Sequence, residues 1–117
     1  MALLAQLIEE IVAHRFEIAD QALTIGRHPS NTVQIDEEAV SGKHAVIHVE
    51  HNSHFKGHRE YYLEDLNSTN GTYLNGETVF GRVRLHHNDV IRMAWSQFKF
   101  IDEQEAEFEA TAHMIVE

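Results

Sequence analysis

The sequence contains no cysteine, and it has only one proline and one tryptophan in 117 residues. Without cysteine, disulfide bonds, thiolate metal sites and cysteine nucleophiles are excluded, so packing and hydrogen bonds alone must hold the fold together. A long apolar run is also missing, because residues 1–12 are interrupted by Gln6, Glu9 and Glu10 and lack the basic start and cleavage site of a signal peptide. We therefore expect a cytoplasmic protein with no membrane contact.

Positive charge is scarce as well. Nine Lys and Arg residues against 19 Asp and Glu residues give a formal net charge of −10, and a polyanion such as nucleic acid would be repelled by that charge. Much of the negative charge is concentrated in residues 102–109, so the rest of the chain is nearer to neutral. The composition therefore disfavours nucleic acid as a partner but leaves room for a local anion site.

Short apolar segments separated by turn residues run along most of the chain. Residues 3–12 also fit the spacing of an amphipathic helix. We favour instead a strand to about Ile8, a turn at Glu9-Glu10 and a second strand through Ile18, because this matches the short strands that follow. The repeated turn signals and the lack of a convincing helix after residue 12 predict an all-β sandwich.

The second half of the chain contains its strongest short hairpin signal, Asn75-Gly76. It predicts a strand on either side of the turn, the second near residues 78–80. Trp95 and the phenylalanines are expected in the core or at its rim. The length and the 43% hydrophobic content fit one domain. We place that domain at residues 1–102 and expect residues 103–117 to form an acidic C-terminal tail or linker.

Hydrogen-bonding groups are densest in residues 62–76, whose centre reads Asp65-Leu66-Asn67-Ser68-Thr69-Asn70-Gly71-Thr72. A loop of this composition presents hydroxyls, a carboxamide and backbone N–H groups at one point, which suits recognition of an anion. Two shorter motifs precede it, Ile25-Gly26-Arg27 and Val40-Ser41-Gly42-Lys43-His44-Ala45.

In order and spacing, these three motifs resemble the forkhead-associated (FHA) domain, a module that binds phosphothreonine-containing peptides. The resemblance covers roughly residues 3–102 and implies an FHA-type β-sandwich of about eleven strands in two sheets, with the ligand loops at one end. It also implies a phosphothreonine-containing protein or peptide as the partner, a role in signalling by Ser/Thr kinases, no catalysis and no cofactor.

Carried over by matched motif position, the resemblance implies a set of phosphopeptide-binding residues: Arg27, Ser41, Lys43, Thr69 and Asn70. The chemistry is suitable, because a phosphoryl group accepts hydrogen bonds at three oxygens, an arginine fork matches its geometry, and small hydroxyls complete the shell. Many family members carry Arg, Lys or Asn where this chain has Gly42, so one contact is missing, and Lys43 is the candidate to replace it.

A second set of residues would hold the shape of the site: Gly26, His44, Asp65, Gly71, Asn75 and Gly76. Glycines permit positive φ, His44 would brace the binding loops, and Asn75 would shape a turn. The family often has glycine at the positions of Asn88-Asp89 and Met93-Ala94, and we expect little consequence of this departure because Asn tolerates left-handed geometry.

The sequence disfavours two other kinds of site. A hydrolytic triad of Ser41 and His44 with Asp65 or Asp89 is disfavoured, because the sequence has no G-x-S-x-G elbow and the fold supplies no helix behind the serine. The histidines at 48, 51, 54, 58, 86 and 87 show no recognised metal-ligand spacing, so we predict no metal site. A phosphate-independent interaction or dimerisation domain is the alternative function, favoured by Gly42.

The tail contains a candidate phosphoacceptor, Thr111, which follows several glutamates and precedes Met114 and Ile115. A phosphorylated Thr111 would have the chemistry to occupy the site of its own or a neighbouring chain. The alternative is a plain acidic linker.

Overall fold

Eleven β-strands account for nearly all regular structure in the computed structural model, which describes residues 1–51 and 58–107. The strands are β1 (Ala2–Ile8), β2 (Ile11–Ile18), β3 (Leu23–Gly26), β4 (Val33–Gln34), β5 (Ala45–His51), β6 (Arg59–Asp65), β7 (Tyr73–Leu74), β8 (Glu77–Thr78), β9 (Arg82–Arg84), β10 (Val90–Met93) and β11 (Ser96–Asp102). The predicted all-β architecture is confirmed.

The strands form a six-stranded sheet in the order β2-β1-β11-β10-β7-β8 and a five-stranded sheet in the order β4-β3-β5-β6-β9. All strand pairs in the described chain are antiparallel except β3 with β4, which run parallel. The two sheets pack face to face as a sandwich, and the connections between strands lie at its ends.

The first 18 residues form a β-hairpin, so the helical interpretation of residues 3–12 is excluded. Its turn consists of Glu9 and Glu10 at φ 51° and 67°, and two consecutive left-handed residues are what a type I′ hairpin turn requires. Period-2 alternation buries Ala2 and Leu4 completely. That burial selects the strand because only alternate side chains of a strand reach the core.

The core lies between the two sheets and consists of alternate side chains from both. Its largest fully buried members are Phe98, Phe100, Leu4, Ile25, Ile47, Leu63, Leu85, Ile91 and Met93. Burial of each such side chain contributes roughly 1.5–3 kcal/mol relative to exposure. The sandwich therefore supplies most of the stabilisation, so the residues of the loops at its ends are not required to form the core.

Two aromatic residues do not lie where the sequence predicted. Trp95 is 88% exposed and Phe80 is 82% exposed, so neither is in the core or at its rim. Trp95 occupies the two-residue turn between β10 and β11, and Phe80 lies in the connection between β8 and β9 rather than in a strand at 78–80. Both residues lie outside the strands, and their side chains point away from the core, although the neighbouring Val79 is buried in it.

Replacing Ala94 with glycine is expected to stabilise the protein. Ala94 has φ 55° in the β10–β11 turn, where a type II′ turn favours glycine. A left-handed L-residue costs roughly 1–2 kcal/mol, and the extra unfolded-state entropy of glycine takes back about half of that. We expect the free energy of unfolding in urea to rise by about 0.5–1 kcal/mol. The control Ala13→Gly, in exposed β2, should lower the free energy of unfolding. If Ala94→Gly does not raise it, the backbone of Ala94 is not strained.

The last strand ends at Asp102, and residues 103–107 form one helical turn. Asp102 Oδ1 accepts a hydrogen bond from the backbone N–H of Gln104 at 3.1 Å, and Glu105 Oε2 accepts one from the N–H of His87 at 3.1 Å. The boundary placed at residue 102 stays a prediction. Thr111 lies outside the described residues, and its role stays a prediction too. In the described part of the chain, no helix is long and apolar enough to cross a membrane.

Candidate functional site

Two loops are joined by their backbones at one end of the sandwich: residues 27–32 after β3, and residues 35–44 before β5. The N–H of Arg27 donates to Ser41 O at 3.0 Å, and the N–H of His28 donates to Gly42 O at 3.1 Å. Backbone hydrogen bonds fix relative position more tightly than side-chain contacts do, because no rotamer freedom intervenes. Arg27 and Ser41 are thus held side by side although they are far apart in the sequence.

The third loop, residues 66–72 between β6 and β7, contacts the second through the side chains of Ser41 and Asn70. The backbone N–H of Thr69 donates to Ser41 Oγ at 3.0 Å, and Asn70 Nδ2 donates to Ala39 O at 2.8 Å. Because Ser41 Oγ is the acceptor, its hydroxyl proton is left to donate elsewhere. The carboxamide oxygen of Asn70 and its second N–H proton are likewise left over after the Ala39 contact.

His44 is fully buried beneath these loops and connects them. Its Nδ1 accepts a hydrogen bond from the N–H of Ser41 at 3.0 Å, which requires the ring proton to be on Nε2. Nε2 then donates to Gly71 O at 2.9 Å. Both ring nitrogens are therefore committed to backbone groups of two different loops, and the imidazole sets the spacing between Ser41 and the 66–72 loop.

The Arg27 guanidinium lacks the partners that Arg59, Arg82, Arg84 and Arg92 have, and among the described arginines it shares this property with Arg15 on β2. Arg59 pairs with Asp20 at 2.6 Å and Arg82 with Glu50 at 2.7 Å, whereas no described residue forms a hydrogen bond or ion pair with the exposed Arg27 side chain. The backbone of Arg27 is held at both of its polar groups, since its carbonyl accepts from Gln34 Nε2 at 3.2 Å. An anchored backbone with an unpaired cationic fork is suited to an oxyanion.

Comparison with known proteins identifies the family. The family model for the FHA domain matches residues 23–94, which contain all three loops. The chain belongs to the FHA domain family. The glycogen accumulation regulator GarA of Mycobacterium tuberculosis is 36% identical over 74 residues, covering 62% of this chain and 41% of GarA. The match therefore spans less than half the length of that relative.

Solved structures agree with the assignment. Mycobacterium tuberculosis EmbR, in complex with a low-affinity phosphopeptide, superposes with a TM-score of 0.71 and 28% identity over 86% of this chain and 24% of EmbR. A second structure, from work on phosphothreonine-dependent FHA domain interactions, gives a TM-score of 0.69 and 25% identity over 86% of this chain and 96% of that chain. The FHA fold is shared over 86% of this chain in both superpositions.

Asp65 organises the 66–72 loop of this FHA domain from within. Its Oδ1 accepts hydrogen bonds from the hydroxyls of Ser68 and Thr72, the latter at 2.7 Å, and its Oδ2 accepts one from the N–H of Ser68 at 3.1 Å. Burial alone would raise the pKa of Asp65, but these hydrogen bonds to the charged form outweigh burial and lower the pKa below its ordinary value of 3.8. The ionised carboxylate is thus the form that the loop selects.

Replacing Asp65 with asparagine is expected to lower the free energy of unfolding at neutral pH by about 2 kcal/mol. The amide of asparagine would place an N–H group against N–H and O–H donors that now bond to a carboxylate oxygen. The lowered pKa means that this stabilisation is present above pH 3.8 and is lost as the pH falls through the folded-state pKa. Urea unfolding from pH 7 downward should show the wild type and variant converging in acid. The exposed control Asp36→Asn should stay within about 0.5 kcal/mol of wild type. A pH-independent difference would contradict the ionised role.

Two residues of the site were not predicted from the sequence. Asn31 Nδ2 donates to Gly42 O at 2.7 Å and to His28 O at 2.8 Å, so it fastens the first loop to the second. Ser68 accepts the N–H of Gly71 at 3.0 Å while donating to Asp65. Asn and Ser commonly form hydrogen bonds with nearby backbone groups in turns, so the sequence could have indicated a turn role for both residues. What it could not show is the long-range partner of Asn31.

The Asn75-Gly76 turn joins β7 to β8 at φ 49° and 86°, as the hairpin signal predicted. Asn75 Nδ2 also donates to Asp89 Oδ1 at 3.0 Å, and Asn75 Oδ1 accepts the N–H of Val90 at 2.9 Å. Asn88 has φ 75°, which supports the expectation that asparagine tolerates left-handed geometry at this position. These contacts lie on the strands behind the 66–72 loop and hold β7 in place.

Lys43 points into a cleft of about 330 Å³ whose other lining residues are Thr24, Ser30, Asn31, Val46 and Leu66. Thr24 and Val46 alternate with core residues, so this cleft is on the outer face of the five-stranded sheet. The role of Lys43 in ligand binding stays a prediction. Within residues 1–51 and 58–107, no three His, Asp or Glu side chains are grouped as metal ligands; His54 lies outside that range.

Proposed function

We propose that this FHA domain is a phosphothreonine-dependent protein-interaction module of Ser/Thr-kinase signalling that has no catalytic activity of its own. The observation that carries the proposal is the unpaired Arg27 guanidinium on a backbone hydrogen-bonded to Ser41. Structural relatives bound to phosphopeptides, such as EmbR, support it. The partner is a phosphothreonine-containing protein or peptide.

The division of roles follows from the contacts. Arg27 offers a charged fork to the phosphate, Ser41 has a hydroxyl proton to donate, and Thr69 adds its own hydroxyl. A charge-assisted hydrogen bond contributes roughly 1.5–3 kcal/mol, and ordering the peptide costs part of the total. We expect micromolar affinity, about −8 kcal/mol. Asn70 is already oriented by Ala39 O, and its remaining polar groups suit a peptide backbone.

Gly71, Gly76 and His44 act through loop geometry in this proposal. Gly71 has φ 85° and Gly76 has φ 86°, which L-residues with a side chain rarely adopt. His44 links Ser41 to Gly71 O. The loops are therefore preorganised, so binding spends little on ordering the protein.

The geometry around Ser41 also speaks against hydrolysis. A general base must accept the nucleophile's proton, but His44 Nδ1 accepts the backbone N–H of Ser41 and Nε2 donates to Gly71 O. Ser41 Oγ itself accepts from Thr69. Neither ring nitrogen is directed at the hydroxyl, and the serine is arranged as a donor to a ligand.

Calorimetric titration with three versions of one peptide tests the proposal. The phosphothreonine form should bind with micromolar affinity, the phosphoserine form more weakly and the unphosphorylated form not measurably. Peptides from a degenerate phosphothreonine library avoid dependence on one sequence. Equal binding of all three forms, or none from the whole library, would favour the phosphate-independent interaction domain instead.

A further inference from the structure

The strand β2 forms a free edge of the six-stranded sheet. The two sheets have four edge strands, and three of them, β4, β8 and β9, contain only two or three residues. β2 contains eight residues and pairs with β1 on one side, while no strand in the described part of the chain pairs with its other side. A long edge strand presents unpaired N–H and C=O groups to other chains, and proteins often prevent this by keeping edge strands short. Three edges are thus protected, and β2 is open.

The regular part of this edge consists of residues 14–18. The pairing register with β1 skips position 13, so a β-bulge interrupts the strand there. Ile18 is buried and Phe16 packs against the core. Because side chains alternate along a strand, Arg15 and Glu17 lie on the outer face of the sheet. The open edge therefore has an apolar side and a charged side.

The charges of this segment complement those of a second copy. Arg15 and Glu17 are exposed, and neither has an ion-pair partner within residues 1–51 and 58–107. If two β2 strands pair antiparallel around a two-fold axis at Phe16, Arg15 of each copy lies opposite Glu17 of the other. Opposite charges directly across a strand pair stabilise it, and like charges destabilise it. An axis at Arg15 or at Glu17 would place like charges opposite each other, so among the three central residues the charges select Phe16.

The apolar side fits the same register. Phe16 would lie opposite its own counterpart at the axis, and its ring is only partly buried in the single chain. Aromatic residues facing each other across a strand pair form favourable contacts. The ring of His14 lies on the same face, with its centroid 6.4 Å from that of Phe16. A peptide of one charge sign would be attracted by only one of Arg15 and Glu17, so a second copy of this chain fits the edge better.

We propose that β2 is a self-association surface, through which two copies of this chain pair antiparallel and join their six-stranded sheets into one continuous sheet. β2 and β7 lie four strands apart, about 19 Å at the usual strand spacing. The ligand loops therefore stay accessible in the dimer, which presents two of the proposed phosphate sites. Dimerisation needs no phosphopeptide, because it uses the opposite edge of the sheet.

Sedimentation equilibrium at protein concentrations from about 5 to 500 µM tests the proposal. Because the paired segment is short, we expect a reversible dimer with a dissociation constant of about 10–100 µM. Amide hydrogen exchange in residues 14–18 should slow as the concentration rises, since the free groups of the edge gain partners. Wild-type protein that stays monomeric at every concentration would overturn the inference.

Charge reversals identify the interface. Arg15→Glu and Glu17→Arg each place like charges opposite each other, so each should weaken the dimer at least about tenfold. The two substitutions change the net charge in opposite directions, so overall repulsion cannot explain a loss in both. The double variant R15E/E17R restores opposite charges and should dimerise within about threefold of wild type.

An equimolar mixture of the two single variants provides a positive control. One variant is acidic at both positions of the edge and the other is basic at both, so the mixture should form a mixed dimer although each variant alone is monomeric. Arg27→Ala should dimerise as the wild type does, which separates this surface from the proposed phosphate site. Dimers that survive both single reversals, or a mixture that stays monomeric, would overturn the inference.

Discussion

Replacing Arg27 with alanine is expected to weaken binding of a phosphothreonine peptide at least about 100-fold. The substitution removes the unpaired charged fork at the site, and two charge-assisted hydrogen bonds at roughly 1.5 kcal/mol each already amount to more than two decades in affinity. The fold should be unaffected, because the contacts of Arg27 to Ser41 and Gln34 are made by its backbone. Calorimetric titration gives the affinity, and urea unfolding should give the wild-type free energy.

Two further variants make the Arg27 result specific. Arg15→Ala removes an exposed positive charge on β2, four strands from β7 in the same sheet, and should weaken binding less than about twofold, since surface charges act weakly at a distance. Arg27→Lys keeps the charge but not the fork, and we expect an intermediate loss of about tenfold. Affinity of Arg27→Ala within threefold of wild type would place the phosphate elsewhere.

Replacing Gly26 with alanine is expected to disrupt the whole site. A Cβ atom at Gly26 would lie 2.3 Å from Gly42 O and 2.8 Å from Asn31 Nδ2, and Gly42 O is also the acceptor for His28. The backbone must shift, because a carbonyl cannot rotate away as a flexible side chain can. We expect a loss of about 3 kcal/mol in the free energy of unfolding and a fall in Tm of about 10–20 °C.

The same substitution at Gly42 provides the control. A Cβ there would meet nothing within 4 Å, and Gly42 does not have positive φ, so Gly42→Ala should change stability by less than about 0.5 kcal/mol. At a temperature where Gly26→Ala is still folded, its phosphopeptide affinity should fall at least tenfold, since Arg27 follows directly. Equal free energies of unfolding for the two variants would show that the close approach of Gly42 O to Gly26 is not needed for stability.

His44 and Leu66 connect the ligand loops to the strands of the sandwich. His44 directly precedes β5 and is fully buried. Its ring forms hydrogen bonds with the N–H of Ser41 and the carbonyl of Gly71. Leu66 begins the third loop with its N–H bonded to His44 O at 2.9 Å. Loops joined to a rigid core at such points can place a phosphate-binding group accurately while remaining exposed.

Much of the strand pattern could be predicted because it depends on local rules. Asn75-Gly76 turned out to be the hairpin turn, and Glu9-Glu10 formed the turn that excludes a helix at the amino terminus. Prediction failed where a segment leaves the sheet: Phe80 and Trp95 had the composition of core or strand, but both are exposed. Hydrophobicity indicates that a side chain favours burial, but only the path of the chain decides whether a core lies within reach.

The sequence by itself determined the FHA family, the β-sandwich and the residue types at the proposed phosphate site. The alternation of apolar residues, the turn residues and the order of the motifs can all be read from the order of residues in the chain. The tertiary structure alone decided which groups are paired. It left Arg27 without a partner among the described residues, brought Gly42 O against Gly26, fixed the tautomer of His44 and attached Trp95 to Glu37. Each of these depends on distances between loops far apart in sequence, which follow from the packing of two sheets and not from any local preference.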